Sequence, residues 1–325
     1  MLTALDQDQR VILLTEGCLP SRKQAFTCPA CGAAVRLKKG RIIRPHFAHI
    51  SLSHCQYLTE NESHEHLRLK ADLYRSLSRS ETAEVEAYLP DLNQIADLLV
   101  NKRLALEIQC SQLPIKRLEQ RSRAYQANGY QVRWLLGRKL WLQKRLTGLQ
   151  RQCLYFSWQL GFHLWELDVE HHLIRLKYMI HEDLFGKASY LVKTCSLDDD
   201  LLAFLRLPYQ RKDLSAYQLQ MDKHLLRRIQ KALLAKDGKW LKKQEEAYLA
   251  GGNLLDRPLE AYYPQVKPIA CSAGFCQIHE DLSHYYDCFE KYYAKAANKE
   301  VQKLFSPAYY VKMINNRNLG GPYDR

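Results

Sequence analysis

The chain has 325 residues, with 48 Lys plus Arg against 35 Asp plus Glu and a formal net charge of +13. Hydrophobic residues make up 46% and charged residues 26%, ordinary globular values that exclude intrinsic disorder as the main state. No window approaches eighteen consecutive apolar residues, and the start, MLTALDQDQR, has acids where a secretory signal needs a cationic stretch, so a cytoplasmic protein without membrane insertion is expected.

This length exceeds what one core usually serves, and three units are expected: residues 1–58, 59–148 and 149–325. The positive balance is spread along the chain, +4 over residues 1–60, +3 over 61–140 and +6 over 141–325. Such a spread fits a polyanion-binding surface assembled from several units, or a surface tuned for solubility.

The first unit is expected to be a small β-rich zinc module. Cys28-x2-Cys31-Gly32 has the spacing of a thiolate pair in a zinc knuckle, with Gly32 free to take the positive φ of its turn. Two further ligands come from His46, His49, His54 and Cys55, and the favoured set is Cys28, Cys31, His49 and Cys55, with His46 as the alternative. His46 and His49 point to opposite faces of an extended strand, so one of them packs or serves elsewhere. A closed tetrahedral Zn²⁺ would supply most of the folding energy of so short a segment, about 10 to 16 kcal/mol in comparable peptides. Cys110, Cys153 and Cys195 stand alone and read as small buried hydrophobes.

The second unit has the order αβββαβ. Residues 62–78 form an amphipathic helix with Leu67, Ala71, Tyr74 and Leu77 on one stripe. Val85, Ala87 and Leu89 alternate with polar residues in a strand, residues 95–100 and 104–110 form a hairpin, residues 114–128 a helix stopped by Gly129, and residues 130–136 a final strand. A hairpin turning symmetrically about Lys102 sets Asp97 opposite Glu107 with Gln109 on the same face. At about 5 Å and an effective dielectric near 20 their repulsion is on the order of 3 kcal/mol. A divalent cation reverses that sign, and hard oxygen ligands suit Mg²⁺ or Mn²⁺. The bland alternative is a half-exposed hairpin whose turn slips by one residue, which moves the acids to opposite faces.

A helix acid, D-x9-E-x-Q across a hairpin, then a helix and a strand resemble the PD-(D/E)xK nuclease superfamily, with Gln109 where the commoner pattern has Lys. More narrowly, CPAC…HFAH, ESHEHLRLK, ADLLV, LEIQCS, RSRAY and VRWLLG resemble the competence protein CoiA family over about residues 1–140. The resemblance implies a restriction-endonuclease-like α/β core, and a cytoplasmic protein of natural transformation that processes imported single-stranded DNA during recombination. Carried over, Asp97 and Glu107 ligate metal, Gln109 stands in for the catalytic Lys, and Glu62 is the helix acid, with Glu65 as its alternative. His66 and Lys70 share the helix face of Glu62. His66 then serves the site or caps the apolar stripe, and Lys70 contacts phosphate or is a solvated cation. Arg121 and Tyr125 contact DNA backbone or form a plain surface pair.

The third unit, 149–325, is expected to be mostly helical. Residues 222–244 read as basic and amphipathic, with eight Lys or Arg between Lys223 and Lys243 against Asp237 alone, which makes Arg227, Arg228 and Lys231 candidate DNA contacts. A solvated helix face is the equal alternative and a membrane surface a lesser one. The group Cys271, Cys276, His279, His284 and Cys288 has no knuckle spacing and is expected to pack rather than bind a second metal; paired tyrosines from Tyr262 to Tyr310 are expected to pack more than to stack on bases. The leading expectation is a metal-dependent DNA phosphodiesterase. Its rival is an accessory protein that binds single-stranded DNA or a recombination protein without turnover.

Overall fold

A computed structural model describes residues 1–15, 19–21, 24–40, 44–51, 62–210, 215–270 and 274–318. The N-terminal strands β1 (Thr3–Leu5), β2 (Val11–Leu13), β3 (Phe26–Thr27), β4 (Ala34–Lys38) and β5 (His46–His49) form one sheet in the order β2-β1-β3-β4-β5. Its small core is Ala4, Leu14, Phe26, Val35 and Phe47, together with Cys28.

The central sheet begins after helix α1 (His64–Leu77), whose N-cap Ser63 accepts from the His66 N–H at 3.1 Å. Strands β6 (Ala83–Leu89), β7 (Gln94–Val100) and β8 (Leu104–Gln109), helix α2 (Ile115–Ala127) and strand β9 (Gln131–Leu136) complete the αβββαβ order. Asn101 and Lys102 both take left-handed φ, 50° and 55°, so the turn matches the twist of its strands. The register runs Leu98↔Leu106, Leu99↔Ala105 and Val100↔Leu104.

After helix α3 (Gly148–Gln152) the chain returns to strand: β10 (Tyr155–Ser157), β11 (Gly161–Asp168), β12 (Leu173–Asp183) and β13 (Ala188–Ser196). Strand β11 pairs parallel with β9 through Trp165↔Leu135 and Glu166↔Leu136. The main path of the sheet is thus β13-β12-β11-β9-β8-β7-β6, which corrects the expectation of a mostly helical region from residue 149. Every residue of β11 is buried, Glu166 and Asp168 included, so the sequence shows neither alternation nor a clean apolar run.

Helix α4 (Leu201–Arg206), strand β14 (Ala216–Gln220), helices α5 (Leu225–Leu234) and α6 (Gly238–Leu249), strand β15 (Val266–Pro268), helix α7 (Ser283–Ala294), strand β16 (Val301–Phe305) and helix α8 (Pro307–Asn318) follow. The basic stretch 222–244 is two helices rather than one, because Asp237 accepts from the Trp240 N–H and starts α6. Helices α7 and α8 pack together, and Tyr285, Phe289, Tyr293 and Tyr310 are buried in the main core. Among the described residues no helix is long and apolar enough to cross a membrane.

Candidate metal centre and acid cluster

The hairpin register brings Asp97 and Glu107 to one cavity of about 460 Å³. Asp97 Oδ2 accepts from the Ile108 N–H across the hairpin at 2.8 Å. From helix α1, His66 Nε2 lies 3.1 Å from Asp97 Oδ2 and Lys70 Nζ 3.2 Å from Oδ1. Lys70 also pairs with Glu62, and with Glu86 at 3.0 Å. His66 and Lys70 lie one turn apart on the flank of α1 that faces the hairpin, whereas Glu62, expected inside the helix, joins them from the segment ahead of the N-cap Ser63.

One ligand atom each from Glu62, His66 and Asp97 lies within 4.8 Å of the others, a set of two carboxylates and an imidazole that fits a divalent cation. Glu107 stands apart from that set, because Arg121 and Tyr125 both donate to its Oε1. Gln109 lines the same cavity, and its amide donates to the Ser111 carbonyl at 2.9 Å. Glu65 lines the cavity too, and accepts from the Arg138 N–H at 2.8 Å. Gly137 makes room there: a Cβ on it would stand 2.7 Å from Cys110 Sγ and 3.0 Å from Glu65 Oε1.

Burial opposes charge throughout this cluster, and the partners decide the outcome. For Asp97, burial is outweighed by His66, Lys70 and the Ile108 N–H, which hold the carboxyl well below its usual range. Burial likewise works against Glu62, yet Lys70 and the Met1 amino group keep it low. Desolvation would lower His66, but Asp97 raises it; Lys70 is raised well above its usual value against its own burial by Glu62, Glu86 and Asp97. Glu107 goes the other way, since burial raises its carboxyl despite Arg121.

Two expected DNA contacts are interior groups. Tyr125 is fully buried beneath Glu107, and Lys70 is 2% exposed, with its charge spent on three carboxylates. Arg121 is committed to Glu107 and to the Ile95 carbonyl at 3.0 Å. On α5, Arg227 and Lys231 are exposed, whereas Arg228 is held by Asp222 at 2.6 Å and Asp183 at 3.4 Å over the Phe185 ring.

Glu86 escaped the sequence reading. Alternation put it on the polar face of β6, but its φ of 53° turns the side chain inward, where it accepts from Leu2 N (2.7 Å), Thr3 N (2.9 Å) and Thr3 Oγ1 (2.5 Å). A left-handed non-glycine costs about 1 to 2 kcal/mol, and the four bonds to this carboxylate outweigh it. Glu86 thereby ties β1 to the acid cluster, and Met1, Thr3, Cys28, Pro29 and Ala30 form one wall of the cavity.

Cys28 of that wall belongs to a second group: ligand atoms of Cys28, Cys31 and His49 lie within 4.8 Å of one another, with Cys31 Sγ 3.4 Å from His49 Nε2. Gly32 takes φ +69° and donates to the Cys28 carbonyl at 2.9 Å, closing the knuckle turn. His46 faces the Arg44 carbonyl at 3.0 Å and is outside this group; Cys55 and His54 lie outside the described residues. These donors fit zinc. No group of described residues between 274 and 288 has comparable convergence: Cys276 bonds Gln152 and Cys288 lies beside His284. Cys271 lies outside the described residues.

Residues 62–198 match the family model described as competence protein CoiA, nuclease-like domain, and residues 15–58 match that of the CoiA N-terminal domain. The first match runs from the helix acid to just past β13, so it takes in the strands β10 to β13. The chain is also 30% identical over 142 residues to a competence protein CoiA of Bacillus subtilis (strain 168), a match covering 42% of this chain and 38% of that relative's length. No solved structure matches the chain.

Proposed function

The chain belongs to the competence protein CoiA family, and from that premise we propose that it is a divalent-cation-dependent DNA phosphodiesterase of natural transformation, acting in the cytoplasm on single-stranded DNA. The observation that carries this reading is the convergence of Glu62, His66 and Asp97 beside Lys70, in one open cavity with Glu107 and Gln109. Glu62, His66 and Asp97 would hold Mg²⁺ or Mn²⁺, and the cation would supply a Lewis acid for a phosphoryl oxygen. Lys70, buried among three carboxylates, would keep Glu62 and Asp97 in the ionised form that binds a cation. Gln109 offers an amide to orient a phosphate or water. Glu107, raised by burial, is suited to exchanging a proton with the attacking water or leaving oxygen. Cys28, Cys31 and His49 would hold a structural zinc together with Cys55.

A second reading, a DNA-binding or recombinase-binding accessory without turnover, draws on the internal pairing of the cluster: Glu62, Glu86 and Asp97 already pair with Lys70, and Arg121 holds Glu107. The deciding experiment incubates labelled single-stranded and duplex DNA with Mn²⁺, Mg²⁺ or EDTA, beside an Asp97→Ala, Glu107→Ala double variant. Metal-dependent cleavage lost in the double variant supports the phosphodiesterase. Equal cleavage by both sinks it, and binding without cleavage moves the assignment to the accessory role. A zinc-to-protein ratio near zero in freshly purified protein would overturn the zinc assignment.

A further inference from the structure

At the other end of the β7–β8 hairpin, a second cavity of about 360 Å³ opens between the hairpin turn, the start of β9 and helix α4. Strand β8 separates it from the acid cluster by roughly 17 Å, five residues at about 3.3 Å each. Its floor is apolar, with Leu104 and Leu205, and its lining includes Arg103, Arg133, Arg206 and Tyr209. No acid lines it, and among the described residues none of the three arginines has a carboxylate partner.

Arg133 is fixed where it stands. Its guanidinium lies between the Tyr155 ring at 5.0 Å and the Tyr209 ring at 5.1 Å, and one N–H donates to the Val132 carbonyl at 2.9 Å. The edge of buried His163 also meets Tyr209, yet that tyrosine remains 52% exposed. Arg103 and Arg206 are exposed. Cations gathered around one cavity repel one another, and a bound anion reverses the sign. Guanidinium groups match phosphate oxygens in pairs, while an apolar floor beside an anchored, half-open tyrosine suits the face of a base.

We propose that this cavity is a nucleotide-binding site, separate from the acid cluster, that takes a nucleoside monophosphate unit, either free or as part of a single strand. The phosphate sits among Arg103, Arg133 and Arg206, and the base lies against Tyr209. Nothing in this assignment needs the chain to cleave DNA, so it survives or fails independently of the phosphodiesterase reading.

The test uses the full chain in EDTA, with fluorescence anisotropy of a labelled thymidine oligonucleotide, direct calorimetry of thymidine monophosphate, and inorganic phosphate as the anion control. An Arg103→Ala, Arg206→Ala double variant should bind the oligonucleotide or the mononucleotide at least about tenfold more weakly. Tyr209→Leu should weaken the same probe a few fold. Loss confined to the oligonucleotide identifies a strand as the source, and loss that includes the monophosphate identifies the free nucleotide. Wild-type binding of both probes by the double arginine variant overturns the site. Inorganic phosphate binding as tightly as the monophosphate, with no effect of Tyr209→Leu, overturns the nucleotide assignment in favour of a plain anion site.

Discussion

The acid cluster beside α1 and the ring-lined interior around His163 on β11, His181 on β12 and helix α7 bury titratable groups to similar depth, and treat them oppositely. Lys70 is 2% exposed, and Glu62, Glu86 and Asp97 beside it hold its charge against burial. His163 and His181 are 0% and 2% exposed, and their ring neighbours are Tyr155, Trp165 and Tyr209 for the first and Tyr217 and Phe289 for the second. Burial therefore drives them to about 3 and about 4, and they are neutral at physiological pH. The desolvation cost is common to both regions. A countercharge within reach decides whether a buried group keeps its charge, and only the first region keeps charges that chemistry can use.

The largest test of this contrast is Asp97→Asn, which should lower metal-dependent cleavage by about a hundredfold or more in a single-turnover assay. Tyr293→Phe, in the neutral region, should leave that rate unchanged. Next, Lys70→Met strands Glu62, Glu86 and Asp97 without their shared cation, and urea unfolding should show a loss of about 3 to 5 kcal/mol. A loss under 1 kcal/mol would mean that the cluster is wetter than its burial indicates.

Acid should separate the regions by pH. The unfolded chain protonates His163 and His181 near 6.5, and the folded chain only near 3 and 4, so their contribution is complete above 6.5 and falls as pH drops toward 4. The expected loss is about 3 kcal/mol for each histidine between those limits. Asp97 and Glu62, held low, keep their contribution until pH falls below their ordinary values of 3.8 and 4.5. Urea midpoints measured from pH 7 to 4 should fall in wild type and fall less in a His163→Gln, His181→Gln variant; coincident profiles would break the comparison. The smallest effect is Tyr293→Phe itself, which removes a hydroxyl bonded to the Lys303 carbonyl at 2.7 Å and to Tyr310 at 2.9 Å, for about 1 kcal/mol by thermal unfolding.

How much of this was legible depended on how local the cause was. The hairpin register could be read because the turn at Asn101-Lys102 and the alternation of its strands are short-range, and so Asp97 and Glu107 could be assigned to one face. Helix α1 carried its apolar stripe in the sequence and α2 its stop at Gly129, while the Ser63 cap that starts α1 two residues late went unread. Glu86 was hidden, since a left-handed residue within β6 breaks the alternation that placed it outside. Lys70 looked like a surface cation because its three partners come from β6, β7 and the residue before the helix. Strand β11 disguised itself by burying Glu166 and Asp168, whose partners Lys177 and Arg175 belong to the next strand. In each miss the deciding partner lay outside the window over which periodicity operates.

The parallel pairing of β9 with β11 has a further consequence. A chain ended at residue 148, where composition suggests a boundary, would leave β9 as an open edge, with the backbone of Leu135 and Leu136 bare beside the buried side chains of Val132 and Trp134. An apolar, unpaired strand is a template for another copy of itself. The shortest fragment able to hold the acid cluster in a monodisperse state therefore extends through β13, and the hairpins that follow the catalytic-looking half act as its guard against self-association.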